Sequence, residues 1–502
     1  MENQQLDTQV HSQDSPQPSS SGHLKRKYGF ITATAIIVGT VVGSGIFFRT
    51  GRLLNDMGGQ VGLGLLAWLV GGGIMFVCAF VFSMIAQKYE KVNGVMDYSE
   101  ALIGKKYSYG TGWFLSILYA PTVTAIVAWV AATYTAVLFG IPSTIGDISN
   151  PEYNPFVFTL TFIYIICIFV INFFSPKLAG KFQVSTTFIK LVPLILMGIV
   201  GIIYGLVKGV DLGSLSDVSS ESGKPLQVAF FSGIVTTAYA YDGWGCIGSL
   251  NSEIKNSKRT MPLALLVGSI LIIAVYVLYF LGISMAGNGQ QLINDDFQGT
   301  ESAFINIFGR AGSVVLIVFV IISCLGAVNG NTMASNRMMY SMGCRNWGIA
   351  PKAMAEVSKS TDVPFNSALF SLFMSALWVI ILLCSEMGWF GRFYFDIGDI
   401  STIGFYILCL PIFVAFVLRE KSLQWYKRFL MPVLAIIAAG FMVVALFLDN
   451  WQIALIYFAT IAVITILSIP FYRKEIDLIQ SDNDSNTPTT QQPTPPTTQT
   501  II

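Results

Sequence analysis

Long apolar runs decide what this chain can fold into. Segments of about 20 residues with few charges recur along most of its length, and each is long enough to cross a bilayer as a helix. Only 11% of the residues are charged, against about 25% in soluble globular domains. The sequence therefore predicts an all-α polytopic membrane protein with about twelve spans, at 30–54, 61–86, 109–139, 155–174, 182–207, 226–250, 261–286, 311–337, 366–385, 395–418, 429–448 and 450–472.

The positions of the basic residues predict how the spans are oriented. If both termini are cytoplasmic, 22 of the 29 lysines and arginines lie on the cytoplasmic side, 6 lie outside, and Lys190 lies within a span. Cytoplasmic loops of membrane proteins carry such an excess of Lys and Arg. We therefore expect a multi-pass protein of the plasma membrane with both termini in the cytoplasm. The net charge of +1 does not indicate nucleic-acid binding.

The two ends of the chain differ in composition from the rest. Residues 1–27 are rich in Ser, Gln and Pro, and residues 475–502 are rich in Thr, Pro and Gln, which predicts disordered tails around a membrane domain at 28–474. The seven cysteines lack metal-ligand spacing, and both histidines lie in the first tail, so we expect neither a metal nor a cofactor. Clustered catalytic groups are absent from the sequence pattern, which argues against an enzyme.

Glycines interrupt two predicted spans at the middle of the membrane. Gly43-Ser44-Gly45 interrupts the first span, and Gly243 beside Asp242 interrupts the sixth. Each glycine costs a helix about 1 kcal/mol relative to alanine, and an intramembrane carboxylate costs about 2.5–3.5 kcal/mol. Glycines also allow close helix packing, but interruptions at matching positions of two halves indicate a transporter binding site. We therefore predict two inverted five-span units, 30–207 and 226–418, followed by two extra helices at 429–472.

A broken span offers partial charges of both signs to a ligand. Its second half starts with unpaired N–H groups that suit a carboxylate, and its first half ends in carbonyls that suit an ammonium group. Two facing breaks can therefore hold a zwitterionic amino acid without a fixed Arg or Glu. The amides of Ser44, Gly45 and Ile46 are expected to bind the carboxylate, and carbonyls near Val41, Tyr239 and Asp242 the amine, with Gly243 beside them.

Several motifs resemble one family of membrane proteins. The chain resembles the amino acid–polyamine–organocation superfamily, specifically its L-type amino acid transporters and, among these, bacterial serine/threonine exchangers. The resemblance implies a five-plus-five inverted fold and sodium-independent antiport of neutral L-amino acids by alternating access. The motifs are "AIIVGTVVGSGIF" (35–47), "AYDGW" (240–244), "SEIKNSKRTMPLA" (252–264), "CLGAVNG" (324–330) and "ASNRMMYSMGCRNWGIAP" (334–351).

The same resemblance implies roles for individual residues. Tyr239 occupies the position of an aromatic gate over the substrate, and Lys190 the position where sodium-coupled relatives bind their cation. A buried ammonium needs carbonyl or hydroxyl partners, so Lys190 is expected to tie the first span to the eighth, with Ser323 as a candidate partner; a snorkelling lysine is the alternative. The external loop 140–154 has no cysteine, so a disulfide-linked heavy chain is not expected.

Asp242 leaves the substrate open. Its carboxylate could pair with the side chain of a cationic amino acid, could carry a proton during transport, or could be hydrogen-bonded locally while its backbone contacts the substrate. The third interpretation favours neutral amino acids, and the first favours a cationic amino acid permease. A polyamine permease, with or without proton coupling, and a sensor that does not transport are further alternatives. Channel function is disfavoured because the chain has paired helix breaks rather than rings of pore-lining polar groups.

Overall fold

The computed structural model describes residues 26–57, 60–89, 93–141, 155–210, 226–287, 296–389 and 397–472. Residues 1–25 of the first predicted tail, the whole second tail at 475–502 and most of the external loop at 140–154 lie outside the described residues. Within these ranges the chain is almost entirely helical, which confirms the all-α prediction.

Ten described helices are long and apolar enough to cross a membrane, and two shorter apolar helices, Phe30–Val41 and Phe230–Ala240, belong to the first and sixth spans. The second, fourth and fifth spans are Val61–Lys88, Pro155–Phe174 and Pro176–Val207. The third span has three parts: the helix Lys105–Trp113, a π-helical segment Phe114–Tyr119 and the helix Ala120–Leu138. The seventh to tenth are Ser257–Ala286, Arg310–Ser335, Phe365–Glu386 and Ile397–Arg419. The sequence analysis did not predict the short helices Gly94–Leu102, Asp296–Phe308, Met338–Gly343 and Pro351–Ala355.

The last helical run, Met431–Ser468, contains two spans. As one straight rod, its 38 residues would measure about 57 Å, nearly twice the hydrocarbon thickness of a bilayer. However, the rings of Phe447 and Phe458 stack with centroids 5.7 Å apart, whereas eleven residues of straight helix rise about 16 Å. The run must therefore fold back between these two residues. It forms a hairpin, in agreement with the predicted spans at 429–448 and 450–472.

The packing of the interrupted spans follows the symmetry of the two units. The first span packs on the seventh, and the sixth span packs on the second, so each interrupted span contacts the second span of the other unit. This exchange of partners is expected when two inverted units pack with their first helices together at the centre. The five-plus-five arrangement with two extra helices is confirmed.

Spans 5 and 7 approach each other so closely that their backbones touch. A Cβ atom on Gly201 would lie 2.3 Å from the carbonyl oxygen of Gly282, and one on Gly282 would lie 2.4 Å from that of Met197. Small residues allow this approach between membrane helices. We call this contact the span 5–span 7 seam.

Candidate functional site

The first span is interrupted where its glycines predict. The helix Phe30–Val41 ends, residues 42–44 are not helical, and a second helix runs from Gly45 to Asp56. The N–H of Phe47 bonds to Ser44 O at 3.0 Å, so the N–H groups of Ser44, Gly45 and Ile46 precede the hydrogen-bonded ladder of the second helix. This end of a helix carries a partial positive charge and suits an anion.

The sixth span is interrupted at the matching place. Its helix Leu226–Ala240 ends in a turn at 241–243, where Gly243 has a φ of +100°, a left-handed conformation that favours glycine. The chain then continues as a 3₁₀-helix, Trp244–Glu253. The interruption predicted within the span at 226–250 is therefore present, and the second half of the span is a tighter helix. Close packing accompanies it, because a Cβ on Gly245 would lie 2.4 Å from the Phe405 ring.

The two interruptions touch each other inside the bundle. A Cβ atom on Gly45 would lie 2.7 Å from Ala240 Cα, and one on Gly243 would lie 3.1 Å from Thr40 Cγ2. Ser44 is only 4% exposed and Ile46 is fully buried. The residues predicted to hold a ligand are therefore brought together at one buried place between the first and sixth spans.

Tyr276 of the seventh span joins the two interruptions, and sequence analysis missed it. Its hydroxyl lies 3.2 Å from Val41 O and 3.0 Å from Ala240 O, the carbonyls at the ends of both first half-helices. Val41 O also accepts a hydrogen bond from Gly43 N–H at 2.8 Å. A hydroxyl has one hydrogen, so Tyr276 donates to one of these two carbonyl oxygens at a time. Nothing in the local sequence distinguishes this tyrosine from other aromatic residues of a span.

Lys190 lies fully buried in the middle of the fifth span and is bound by carbonyl oxygens. Its ammonium donates to Gly39 O at 2.7 Å, to Ser323 O at 3.0 Å and to Val42 O. The Ser323 hydroxyl lies 3.2 Å from Val42 O and 3.0 Å from Gly43 O, and it donates its one hydrogen to one of them at a time. The lysine therefore connects the first span to the eighth and does not extend towards the membrane surface. Ser323 contributes both its carbonyl and its hydroxyl to this connection.

The Asp242 carboxylate is held by two other spans. Tyr119 at the end of the π-helical segment of the third span donates to one oxygen at 3.0 Å, and Thr402 of the tenth span donates to the other at 3.2 Å. Asp242 is 9% exposed. Of the three interpretations from sequence, these contacts match a carboxylate that is hydrogen-bonded locally.

Aromatic and loop contacts cover one side of the interruptions. The guanidinium of Arg49, in the second half of the first span, lies 4.5 Å from the centre of the half-buried Tyr239 ring. Such a cation–π contact contributes about 0.5–1 kcal/mol at a partly exposed site. Thr300, in the helix Asp296–Phe308, donates to Phe47 O at 3.2 Å. The second half of the first span is thus attached to the loop helix between spans 7 and 8.

Buried charges join three segments on the opposite side. Glu253, which is 0% exposed, pairs with Arg337 through both carboxylate oxygens and with Lys27 at 2.9 Å. Burial alone would raise the pKa of Glu253, but the two cations outweigh it and hold the pKa below the ordinary value of 4.5. We call Lys27, Glu253 and Arg337 the Glu253 cluster. It connects the segment before span 1, the end of span 6 and the end of span 8, and sequence analysis did not single it out.

Two facing interrupted helices in inverted units define a secondary transporter fold. A family model described as "Amino acid permease" matches residues 28–470. The chain therefore belongs to the amino acid permease family, and it is an amino acid transporter rather than an enzyme.

Individual relatives agree with this family. The serine/threonine exchanger SteT of Bacillus subtilis (strain 168) is 25% identical over 425 residues, which cover 83% of this chain and 90% of that protein. The human large neutral amino acids transporter small subunit 2 is 26% identical over 425 residues (82% and 74%). The human cystine/glutamate transporter is 26% identical over 357 residues (70% and 68%).

A solved structure shows the same fold. The crystal structure of MhsT in complex with L-phenylalanine aligns with a TM-score of 0.56 at 15% sequence identity, covering 85% of this chain and 99% of that one.

Proposed function

We propose that this amino acid transporter exchanges neutral L-amino acids across the plasma membrane, without sodium, by alternating access. The direct contact between the two helix interruptions, at Gly45 and Ala240, carries the proposal. The relatives named for serine/threonine and large neutral amino acid transport support the substrate class. The excess of Lys and Arg on one side supports an orientation with both termini in the cytoplasm.

The substrate's carboxylate binds the amides of Ser44, Gly45 and Ile46, at the positive end of the second half-helix. Its amine binds carbonyls near Val41, Tyr239 and Asp242. Val41 O already accepts from Gly43 N–H, and it is open to the amine when the Tyr276 hydroxyl donates its one hydrogen to Ala240 O instead. The ring of Tyr239, under Arg49, is the external gate.

Lys190 supports transport without sodium. Its ammonium already supplies a positive charge to the carbonyls of Gly39, Val42 and Ser323. A sodium ion needs several oxygen ligands, and these oxygens are occupied by the lysine's three N–H donors. Lys190 is therefore the internal substitute for a coupling cation.

Asp242 favours neutral substrates over cationic ones, because Tyr119 and Thr402 already bind its two oxygens. A cationic amino acid permease is the second candidate, since the same carboxylate is buried beside the interruption. Uptake of lysine by the wild type that disappears in Asp242→Asn would establish the second candidate. We also propose that no heavy chain is attached through the external loop 140–154, which has no cysteine.

The test is counter-transport in liposomes that contain the full-length protein. Internal unlabelled L-serine or L-threonine should accelerate uptake of labelled L-serine, and replacing external sodium by choline should not change the rate. Ser44→Pro removes one of the proposed carboxylate donors and should abolish uptake, whereas the matched control Ser44→Ala retains the N–H and should remain active. A strict sodium requirement, or equal activity of the two variants, would contradict the proposal.

A further inference from the structure

A basic pocket of about 500 Å³ lies beside the Glu253 cluster, at the start of the seventh span. Its described lining contains three cations and two polar residues: Arg26, Asn256, Ser257, Lys258 and Arg259. Among the described residues that line it there is no carboxylate. The three cations are exposed and so accessible to a ligand from the surface.

The backbone at this pocket also favours an anion. The helix Ser257–Ala286 starts here, and the side chain of Asn256 does not cap it. The N–H groups of Arg259 and Thr260 bond to Asn256 O at 2.9 Å, whereas that of Lys258 precedes the hydrogen-bonded ladder. The partial positive charge of a helix start adds to the charge of the side chains. A phosphate group matches this combination of charge and donors.

An apolar surface continues from the pocket along the same helix. Leu263 and Val267 follow Arg259 at intervals of four residues, so the three side chains lie on one helix face. They are 52% and 40% exposed, and Ile31 of the neighbouring first span is 67% exposed. Exposed apolar side chains of a membrane span contact lipid. A ligand with a phosphate group and acyl chains therefore fits both parts of this surface.

We infer that the pocket binds the phosphate headgroup of an anionic phospholipid, with its acyl chains along Leu263 and Val267. This inference uses the proposed orientation, with both termini in the cytoplasm, only to place the pocket in the cytoplasmic leaflet. Arg26 belongs to the segment before span 1, which pairs with the end of span 6 through a bridge between Tyr28 and Ile254 and through the bond from Lys255 N–H to Tyr28 O at 2.8 Å. A bound headgroup contacts this segment and the start of span 7 at once, and so stabilises the pairing beside the Glu253 cluster.

The experiment measures lipid binding directly. Full-length protein in detergent is titrated with phosphatidylglycerol, and the bound fraction is followed by native mass spectrometry; thermal unfolding is followed in parallel. Each basic residue near a membrane surface contributes about a fivefold change in binding of anionic lipid. The double variant Lys258→Gln/Arg259→Gln should therefore bind phosphatidylglycerol about 25-fold more weakly and lose the rise in unfolding temperature.

The matched control, Lys352→Gln/Lys359→Gln, removes two exposed charges elsewhere on the same end of the protein. It should bind phosphatidylglycerol as the wild type does. Equal weakening in both double variants would overturn the site, because it would indicate a general charge effect. Stabilisation by inorganic phosphate alone, equal to that by the lipid, would overturn the lipid as the ligand. Neither readout uses transport, so a failure of the proposed substrate would leave this test unaffected.

Discussion

The Glu253 cluster leads to a prediction about the entrance on its side of the protein. In the variant Glu253→Gln, Arg337 keeps its charge but loses the carboxylate that binds it through two hydrogen bonds. Arg337 is only 2% exposed, so it cannot compensate with water while the segments stay together. We therefore expect the variant to open more often on this side.

The size of the effect follows from burial. Removing one partner of a buried ion pair costs about 3–5 kcal/mol, because the remaining charge is left unpaired. Once the segments separate, Arg337 is hydrated and this cost disappears. The whole penalty therefore falls on the closed conformation, and the open fraction rises roughly a hundredfold to a few thousandfold. The remaining amide oxygen of the glutamine places the expected value near the lower limit.

Cys324 provides the assay. It is fully buried in the eighth span beside Lys190 and Ser44. In a protein where the other six cysteines are replaced by serine, a maleimide can alkylate Cys324 only after the interior opens. When closing is faster than alkylation, the alkylation rate is proportional to the open fraction. The rate should rise about a hundredfold in Glu253→Gln.

Glu100→Gln is the matched control. Glu100 binds Arg345 at 2.9 Å, but Arg345 also pairs with Asp97 and so keeps a carboxylate after the substitution. Its alkylation rate should change less than about fivefold. If Glu253→Gln folds as the wild type does and alkylates Cys324 no faster than this control, the cluster does not hold the entrance closed.

Three further predictions follow from the contacts. Tyr276→Phe removes the hydroxyl between Val41 O and Ala240 O and should lower stability by about 1–3 kcal/mol in thermal unfolding. The control Tyr279→Phe should leave stability unchanged, because the buried Tyr279 hydroxyl has no described partner. Equal losses of stability in the two variants would contradict the role of Tyr276. Lys190→Met should reduce exchange at least about tenfold, since Gly39 O loses a charged donor, whereas Lys208→Met at the end of the span should not; equal exchange rates of the two variants would contradict the role of the Lys190 ammonium. Because the pKa of Glu253 is lowered in the folded protein, its contribution to stability is complete above pH 4.5 and is lost as the pH falls further. Cys324 alkylation that already accelerates between neutral pH and pH 4.5 would contradict this assignment.

The interruptions could be predicted from sequence because glycine destabilises a regular helix. Several glycines within a span therefore indicate a place where the backbone is not a regular helix. Gly43, Gly45 and Gly243 identified both places, and the length of the apolar runs identified the spans. The 3₁₀-helix Trp244–Glu253 was not predictable in this way. Hydrophobicity there is compatible with either kind of helix, and the choice depends on packing against distant residues such as Phe405.

The contacts that link distant segments could not be predicted either. Tyr276 differs from Tyr279 in function only because its hydroxyl reaches two carbonyls of other spans. Glu253 and Arg337 are 84 residues apart, and each is an ordinary charge at the end of a span when the sequence is considered alone. Lys190 was recognisable because a lysine in the middle of an apolar helix needs an explanation wherever it packs.

The span 5–span 7 seam couples the two helices that hold the first half of span 1. Gly201 and Gly282 leave no side chain between the two backbones, so there is no compressible layer along which these helices could slide. Lys190 from one helix and Tyr276 from the other both hold the end of the first half of span 1. The end of that half can therefore move only together with spans 5 and 7, or after its bonds to Lys190 and Tyr276 break. A conformational change at the interruption of span 1 thus has to involve both helices of the seam or exchange these two contacts.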